Sequence, residues 1–322
     1  MAEQSPVTRR IRIGISSCIL GEKVRFDGGH KLDRFLANVF GKYVEWVMVC
    51  PEVEIGMGIP RPTVRLVQVG DNVQMISKKG ADFTDAMQQY TASRTLALVQ
   101  ERLDGYILKS GSPSCGMERV RYYDTDGTPR QRGSGIFAGG LMKAFPFMPI
   151  EDEGRLKDSR IRENFVSRVF AYHRWQQLKA DGLTRSRLFT FHQSHKYLLM
   201  AHNQEGVRRL GRLIAQPEGG CSIEEVAKEY FKEFMAIMKR TPSRKSHTNV
   251  LQHMAGYVSK HLDTDDRNEL TEMINQYRLE HLPLIVPLIM LRHHARKLKV
   301  EYLIGQVYLD PHPDELMLLN QL

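Results

Sequence analysis

Three cysteines in this chain stand at or just beyond the ends of short apolar runs. Cys18 follows residues 10–17 (RIRIGISS), Cys50 follows residues 43–49 (YVEWVMV), and Cys115 closes the stretch Lys109-Ser110-Gly111-Ser112-Pro113-Ser114-Cys115 after residues 105–108. Thiolates are soft ligands, and three with no fourth protein donor leave a coordination position open, as in a catalytic metal centre. An iron–sulfur cluster suits that set, because three protein ligands leave one iron free. Zinc completed by His30 is a second option, and a bare nucleophilic cysteine a third. For the third, no histidine stands beside any of the three in sequence.

Groups suited to proton transfer lie close by. Glu52 is two residues after Cys50, with Glu54 two further on, and Ser110, Ser112 and Ser114 surround Cys115. A carboxylate beside a metal centre can activate water, whereas a glutamate in a surface turn is simply solvated. The density of Gly, Ser and Pro around Cys115 predicts a tight turn with exposed backbone N–H groups.

For these residues to meet, the elements carrying them must be aligned. Residues 10–17, 43–49 and 105–108 read as strands, and helical periodicity over residues 30–40 and 84–102, the latter capped at Asp82 or Thr84, separates them. Parallel strands joined by helices bring their C-terminal ends to one edge of a sheet, where ligands bind. The expected fold of residues 1–150 is therefore α/β with a mainly parallel sheet and the cysteines at strand C-terminal ends. Residues 64–78 and 119–132 read as hairpins, the second rich in arginine and tyrosine. Tyr122 and Tyr123, just after Arg119 and Arg121, could stack a base or merely pack. Gly133, Gly135, Gly139 and Gly140 lack dinucleotide-fingerprint spacing, so they suggest close approach of backbone to a ligand.

Near residues 146–151 the character changes, and Glu151-Asp152-Glu153-Gly154 reads as a boundary. Residues 151–322 are expected to be all α, with helical period at 161–178, 186–200, 223–238, 248–262, 269–279 and 288–298. Eleven of the twelve histidines lie in this half. The pairs His192/His195 and His293/His294 have ligand spacing but no accompanying carboxylate motif. Cys221, after Pro217-Glu218-Gly219-Gly220, reads as an unrelated thiol.

The formal charge of +9 suits a polyanionic partner. Cations placed for phosphate contact are Arg185, Arg187, Lys196, Arg208, Arg209 and Arg212, then Lys239, Arg240, Arg244 and Lys245, then Arg292, Arg296, Lys297 and Lys299. The structural alternative for each is a solvated helix face. No run approaches the roughly 20 apolar residues that span a bilayer, and the polar start MAEQSPVTRR lacks the apolar core of a signal peptide. A cytoplasmic protein without structural disulfides is expected.

The segments SSCILGEKVRFDGG, CPEVEIGMGIPRP and KSGSPSCG, in this order, resemble the thiouracil desulfidase family (TudS type) over about residues 10–150. By that resemblance Cys18, Cys50 and Cys115 hold a 4Fe-4S cluster with one open iron, Glu52 is the acidic residue of the Cys-Pro-Glu motif, and Ser112 is the catalytic serine, with Ser110 and Ser114 as alternatives. Residues 158–310 resemble the YbgA-type helical domain. The fusion is similar to the tRNA 4-thiouridine desulfidases (RudS type), which implies a tRNA-binding role for residues 151–322 and tRNA carrying 4-thiouridine as partner. The implied reaction is hydrolytic, without net redox: water activated by Glu52 attacks C4, hydrosulfide leaves, and uridine remains. Desulfuration of free 4-thiouracil or its nucleotide is the alternative. So is a non-enzymatic, cluster-bearing regulator that binds nucleic acid. No membrane and no obligate protein partner are expected.

Overall fold

The computed structural model describes residues 9–215 and 221–321. Residues 1–8, residues 216–220 (with the Pro217-Glu218-Gly219-Gly220 run) and residue 322 lie outside them.

Strand β1 (Ile11–Ser16) organises the first unit, Met1–Lys157. It pairs in parallel with β2 (Val44–Val49) on one side and β5 (Gly105–Leu108) on the other, and β8 (Ile150–Asp152) joins β5 in parallel. The sheet order is β2-β1-β5-β8. Ile13, Ile15, Tyr106, Ile107 and Leu108 are fully buried, as expected of a parallel sheet covered on both faces. The three strands that precede cysteines are thus adjacent, with their C-terminal ends on one edge. In the run Glu151-Asp152-Glu153-Gly154, Glu151 and Asp152 close the fourth strand and Glu153 and Gly154 form the turn after it; the two units divide after Lys157.

Both hairpins form, and they join into a second sheet. Strand β3 (Val64–Val69) turns through Gly70-Asp71 into antiparallel β4 (Asn72–Ser77). Strand β6 (Val120–Tyr123) pairs with antiparallel β7 (Pro129–Gly133), and β3 meets β6 in parallel, giving the order β4-β3-β6-β7. Leu66, Met75 and Val120 bury one face of this sheet.

Helix α1 (Arg34–Asn38) is shorter than the periodicity over residues 30–40 predicts, because the Asp33 carboxylate accepts from the Leu36 N–H at 3.1 Å and fixes the start there. Helix α2 (Pro51–Glu54) is a single turn. Helix α3 (Thr84–Gln100) is long, as expected, and Asp82 accepts from the Thr84 N–H at 2.8 Å ahead of it, although Phe83 occupies the cap. Helix α4 (Ile136–Ala144) follows Gly135.

The second unit, Asp158–Leu322, contains no strand among the described residues. Its helices are α5 (Ser159–Ala180), α6 (Arg185–His202), α7 (Gln204–Ala215), α8 (Ile223–Met238), α9 (Arg244–Val258), α10 (Thr264–Arg278), α11 (Ile285–Lys297) and α12 (Glu301–Ile304). Side-chain caps at Asp158, Thr184, Ser222, Ser243 and Asp263 set five starts. The aromatic core centres on Trp175, stacked on Phe231 at 4.7 Å and on Tyr230 at 5.7 Å. Helix α7, not anticipated from sequence, packs Gly206 against Ile237 of α8, where a Cβ would lie 2.5 Å from the Ile237 side chain. No helix among the described residues is long and apolar enough to cross a membrane.

Candidate active site

Each cysteine sits where the chain leaves a strand of the parallel sheet. Cys18 lies on a one-turn 3-10 helix (Ser17–Leu20), and its carbonyl accepts from the Lys31 N–H at 2.8 Å. Cys50 caps α2, and its own N–H donates to Glu54 Oε1 at 2.9 Å. Cys115 is placed by the turn after β5, where Gly111 takes a left-handed φ of +67° and Ser112 Oγ accepts from the Cys115 N–H at 3.1 Å. All three thiols line one cavity of about 310 Å³, together with Glu52, Arg61, Lys109, Ser110, Ser112 and Ser114.

The donor set fits a sulfur-ligated iron cluster. Cys18 and Cys115 are buried. Burial, reinforced by the neighbouring Cys50, pushes the Cys18 thiol up to about 11, and burial also raises Cys50 and Cys115. Thiols so disfavoured as bare thiolates are poor free nucleophiles and gain most from a cation that compensates their charge. Among the described residues no three Cys, His, Asp or Glu side chains are close enough to share a single metal ion. His30, the zinc option's fourth ligand, is exposed, accepts from the Leu32 N–H at 3.2 Å and does not line the cavity.

Glu52 is held from two sides. Arg61, 8% exposed, donates Nε and Nη2 to Glu52 Oε2 at 2.8 and 2.7 Å and Nη1 to the Val24 carbonyl at 2.9 Å. Ser114 Oγ donates to Glu52 Oε1 at 2.7 Å. A hydroxyl has one proton, so in the 2.9 Å contact between Ser112 and Ser114 it is Ser112 that donates. The hydroxyls form a directed chain from Ser112 through Ser114 to Glu52. No local pattern in the sequence marks Arg61, which stands in the GIPRP segment.

Ser110 belongs to a different network. Its N–H and Oγ donate to the two oxygens of Glu153 at 2.6 and 2.8 Å, and Lys109 forms an ion pair with Glu153 Oε1. Lys109 Nζ also donates to the Ser110 carbonyl at 2.9 Å. Glu153 arrives from the end of β8, which a boundary reading of that acidic run conceals.

Of the four glycines near the end of β7, Gly135 approaches backbone, whereas Gly133, Gly139 and Gly140 face the side chains of Tyr122, Ser134 and Thr91. A Cβ on Gly135 would lie 2.4 Å from the Ser114 carbonyl oxygen, and the Gly135 N–H donates to the Gly116 carbonyl at 2.8 Å. Gly135 thus braces the Cys115 turn from behind. Tyr122 turns inward and donates to the Ser134 carbonyl at 2.7 Å.

In the helical unit the His192/His195 pair is structural. His192 contacts the Tyr230 hydroxyl at 3.2 Å and His195 the Phe191 carbonyl at 2.8 Å, both buried. The rings of His293 and His294 stand edge to face at 5.4 Å. Among the candidate phosphate ligands, Arg187 donates to the Asp181 and Gly182 carbonyls, Arg209 pairs with Glu233, and Arg244 lies 4.5 Å over Tyr277. Arg292 pairs with Asp314 at 2.9 Å, and with Arg296 and Lys297 it lines one open groove. Arg185, Arg208, Arg212, Lys239, Arg240, Lys245 and Lys299 are exposed on several helices and turns, and Lys196 is half-buried.

The 2-thiouracil desulfurase family model matches residues 13–153, and that of DUF1722, a family of unknown function, matches residues 196–313. The chain is 30% identical over 154 residues to the uncharacterized protein YbgA of Escherichia coli (strain K12), a match covering 48% of this chain and 91% of that protein. It is 30% identical over 137 residues to the uncharacterized protein YbbK of Bacillus subtilis (strain 168), covering 40% and 89%. A solved [4Fe-4S]-dependent thiouracil desulfidase, TudS, is similar at 26% identity, covering 46% of this chain and 94% of that one, with a TM-score of 0.38.

Proposed function

Because the chain belongs to the family that joins a 2-thiouracil desulfurase domain to a DUF1722 (YbgA-like) domain, we propose that it desulfurates a thiolated pyrimidine by hydrolysis, with 4-thiouridine in tRNA as substrate. One observation carries the reading. The three thiols that would hold a 4Fe-4S cluster share a cavity with a carboxylate whose proton-accepting oxygen is already connected to two serines.

When bound, the cluster supplies a Lewis-acidic iron without a protein ligand, which polarises a thione. The chain's residues handle the proton. Arg61 occupies Glu52 Oε2 with two N–H groups, so Oε1 is the oxygen able to take a proton from water. Ser114 holds Oε1 in place and extends its reach to Ser112, which the Cys115 N–H orients. Water oxygen bonds to C4 and the C4–S bond breaks with its electron pair on sulfur. One water proton leaves with hydrosulfide and the other passes to Glu52. No electron enters or leaves. Ser110, its hydroxyl proton committed to Glu153, serves position and not proton transfer. A non-enzymatic regulator would have no use for the Glu52–Ser114–Ser112 chain.

The test is anaerobic. Protein reconstituted with iron and sulfide is incubated with 4-thiouridine-containing tRNA, which is then digested to nucleosides. Loss of 4-thiouridine with gain of uridine, abolished in Glu52→Gln at unchanged iron content, supports the assignment. Full activity of that variant overturns the role of Glu52. Conversion of the free nucleotide but not of tRNA overturns the RNA substrate.

A further inference from the structure

One face of the second sheet of the catalytic unit presents exposed arginines, and its register places like charges side by side. Arg121 of β6 is directly opposite Arg132 of β7. Leu66 of β3 is opposite Tyr122 of β6 in parallel, so the residues just before them, Arg65 and Arg121, are neighbours on the same face. Arg65, Arg121 and Arg132 therefore form a row across three adjacent strands, and all three are exposed. None makes an ion pair among the described residues, whereas nearby Arg130 is paired with Asp124 at 2.7 Å. Directly opposed like charges destabilise a sheet, so folding alone gives no reason for the row.

Two further features say what the row meets. Tyr123 is two residues beyond Arg121 on the same face, and the Arg65 guanidinium lies 5.8 Å from the centre of its ring. A half-exposed aromatic among unpaired arginines is the pattern that stacks a base while holding flanking phosphates. The row also lies beside the site. Thr63 and Val64 line the cavity and Arg65 is the next residue; β6 starts at Val120, shortly after Cys115. Both strands run outward from the cavity wall, so the arginines occupy their cavity-proximal ends.

The geometry points to Arg65, Arg121, Arg132 and Tyr123 as a single-stranded RNA platform of the catalytic unit, holding the nucleotides next to the one whose base enters the cavity. This rests on the RNA reading of the proposed function, and it places recognition on the catalytic unit in addition to the helical one. An RNA loop is favoured over an acidic peptide because Tyr123 offers a ring face, which carboxylates do not use.

The test is binding of an unmodified tRNA transcript, which requires no turnover. Arg121→Gln and Arg132→Gln should each reduce the slope of log affinity against log salt by about 0.7–0.9. Tyr123→Ala should weaken binding about tenfold with the slope unchanged. Melting temperatures of the arginine variants should stay constant or rise, since repulsion is relieved, which separates lost contact from lost fold. Wild-type slope and affinity in all three variants would overturn the platform while leaving the RNA reading intact. Failure of the wild-type chain to bind tRNA at low salt would overturn both. Tight, arginine-dependent binding of polyglutamate that Tyr123→Ala does not weaken would assign the face to an acidic protein instead.

Discussion

Ser114 Oγ lies 2.7 Å from Glu52 Oε1, joining the turn after β5 to the turn after β2 across 62 positions of sequence. The other carboxylate oxygen is taken by Arg61, whose side chain is 3% exposed. Removing Arg61 leaves a carboxylate uncompensated in a cavity, a change that costs about 3–5 kcal/mol in buried pairs. Arg61→Met should lower the urea midpoint accordingly and reduce kcat. Arg61→Lys should recover part of the stability but less of the rate, because one ammonium does not reproduce the two-pronged contact. Equilibrium unfolding beside steady-state kinetics checks both.

Glu52→Gln keeps the shape of that contact and removes the base. A general base typically contributes 10²–10⁴-fold, so a kcat loss in that range is expected with little change in KM. A change confined to KM would make Glu52 a binding group instead.

Gly135→Ala should damage the site without touching a site residue. Its Cβ would lie 2.4 Å from the Ser114 carbonyl oxygen and 2.8 Å from that of Pro113. The atoms it meets are backbone, so the Cys115 turn must move, at a cost of about 1–3 kcal/mol. Iron bound per chain after reconstitution should fall, while α5–α11 keep their helical circular dichroism.

Glu153→Gln should separate position from charge in the second network. The amide can still accept from the Ser110 N–H, but it no longer compensates Lys109, whose side chain is 15% exposed. Loss of kcat with intact iron binding is expected, and Glu153→Asp should be milder if the ion pair is what matters.

Acid should weaken the helical unit first. Burial holds His192 down to about 4, His195 to about 3 and His247 to about 4, against an ordinary histidine value near 6.5. The unfolded chain therefore takes up protons that the folded one refuses as pH falls below 6.5. Stability is full above that value and declines until the folded groups themselves titrate, by on the order of 2 kcal/mol per histidine at pH 5. Denaturant midpoints at pH 7 and pH 5 should show the drop, and His247→Phe should reduce it.

What could be read from the chain alone follows from the range of the forces involved. Alternating Arg and Ile in β1 and the apolar run before Cys50 are local patterns, and parallel topology carries them directly into convergence of Cys18, Cys50 and Cys115. The pairing of Arg61 with Glu52 and of Glu153 with Lys109 is long-range and leaves no period. The place of Glu153 is not legible in sequence because the three-residue strand before it, β8, is too short to show a pattern. Apolar periodicity over residues 30–40 overstates α1 because it begins ahead of the cap at Asp33 and runs beyond Asn38. Tyr122 and Tyr123 look equivalent in sequence; strand alternation separates them, sending one hydroxyl to the Ser134 carbonyl and leaving the other ring beside Arg65.

The central claim is that sulfur is exchanged for the oxygen of water at a pyrimidine carbon. The most direct measurement is a single turnover of 4-thiouridine-containing tRNA by the iron-loaded chain in H₂¹⁸O, with product uridine weighed and sulfide titrated. One heavy oxygen per uridine and one sulfide per uridine are predicted. Loaded protein that leaves the thionucleoside intact, or uridine formed without the heavy isotope, would contradict it.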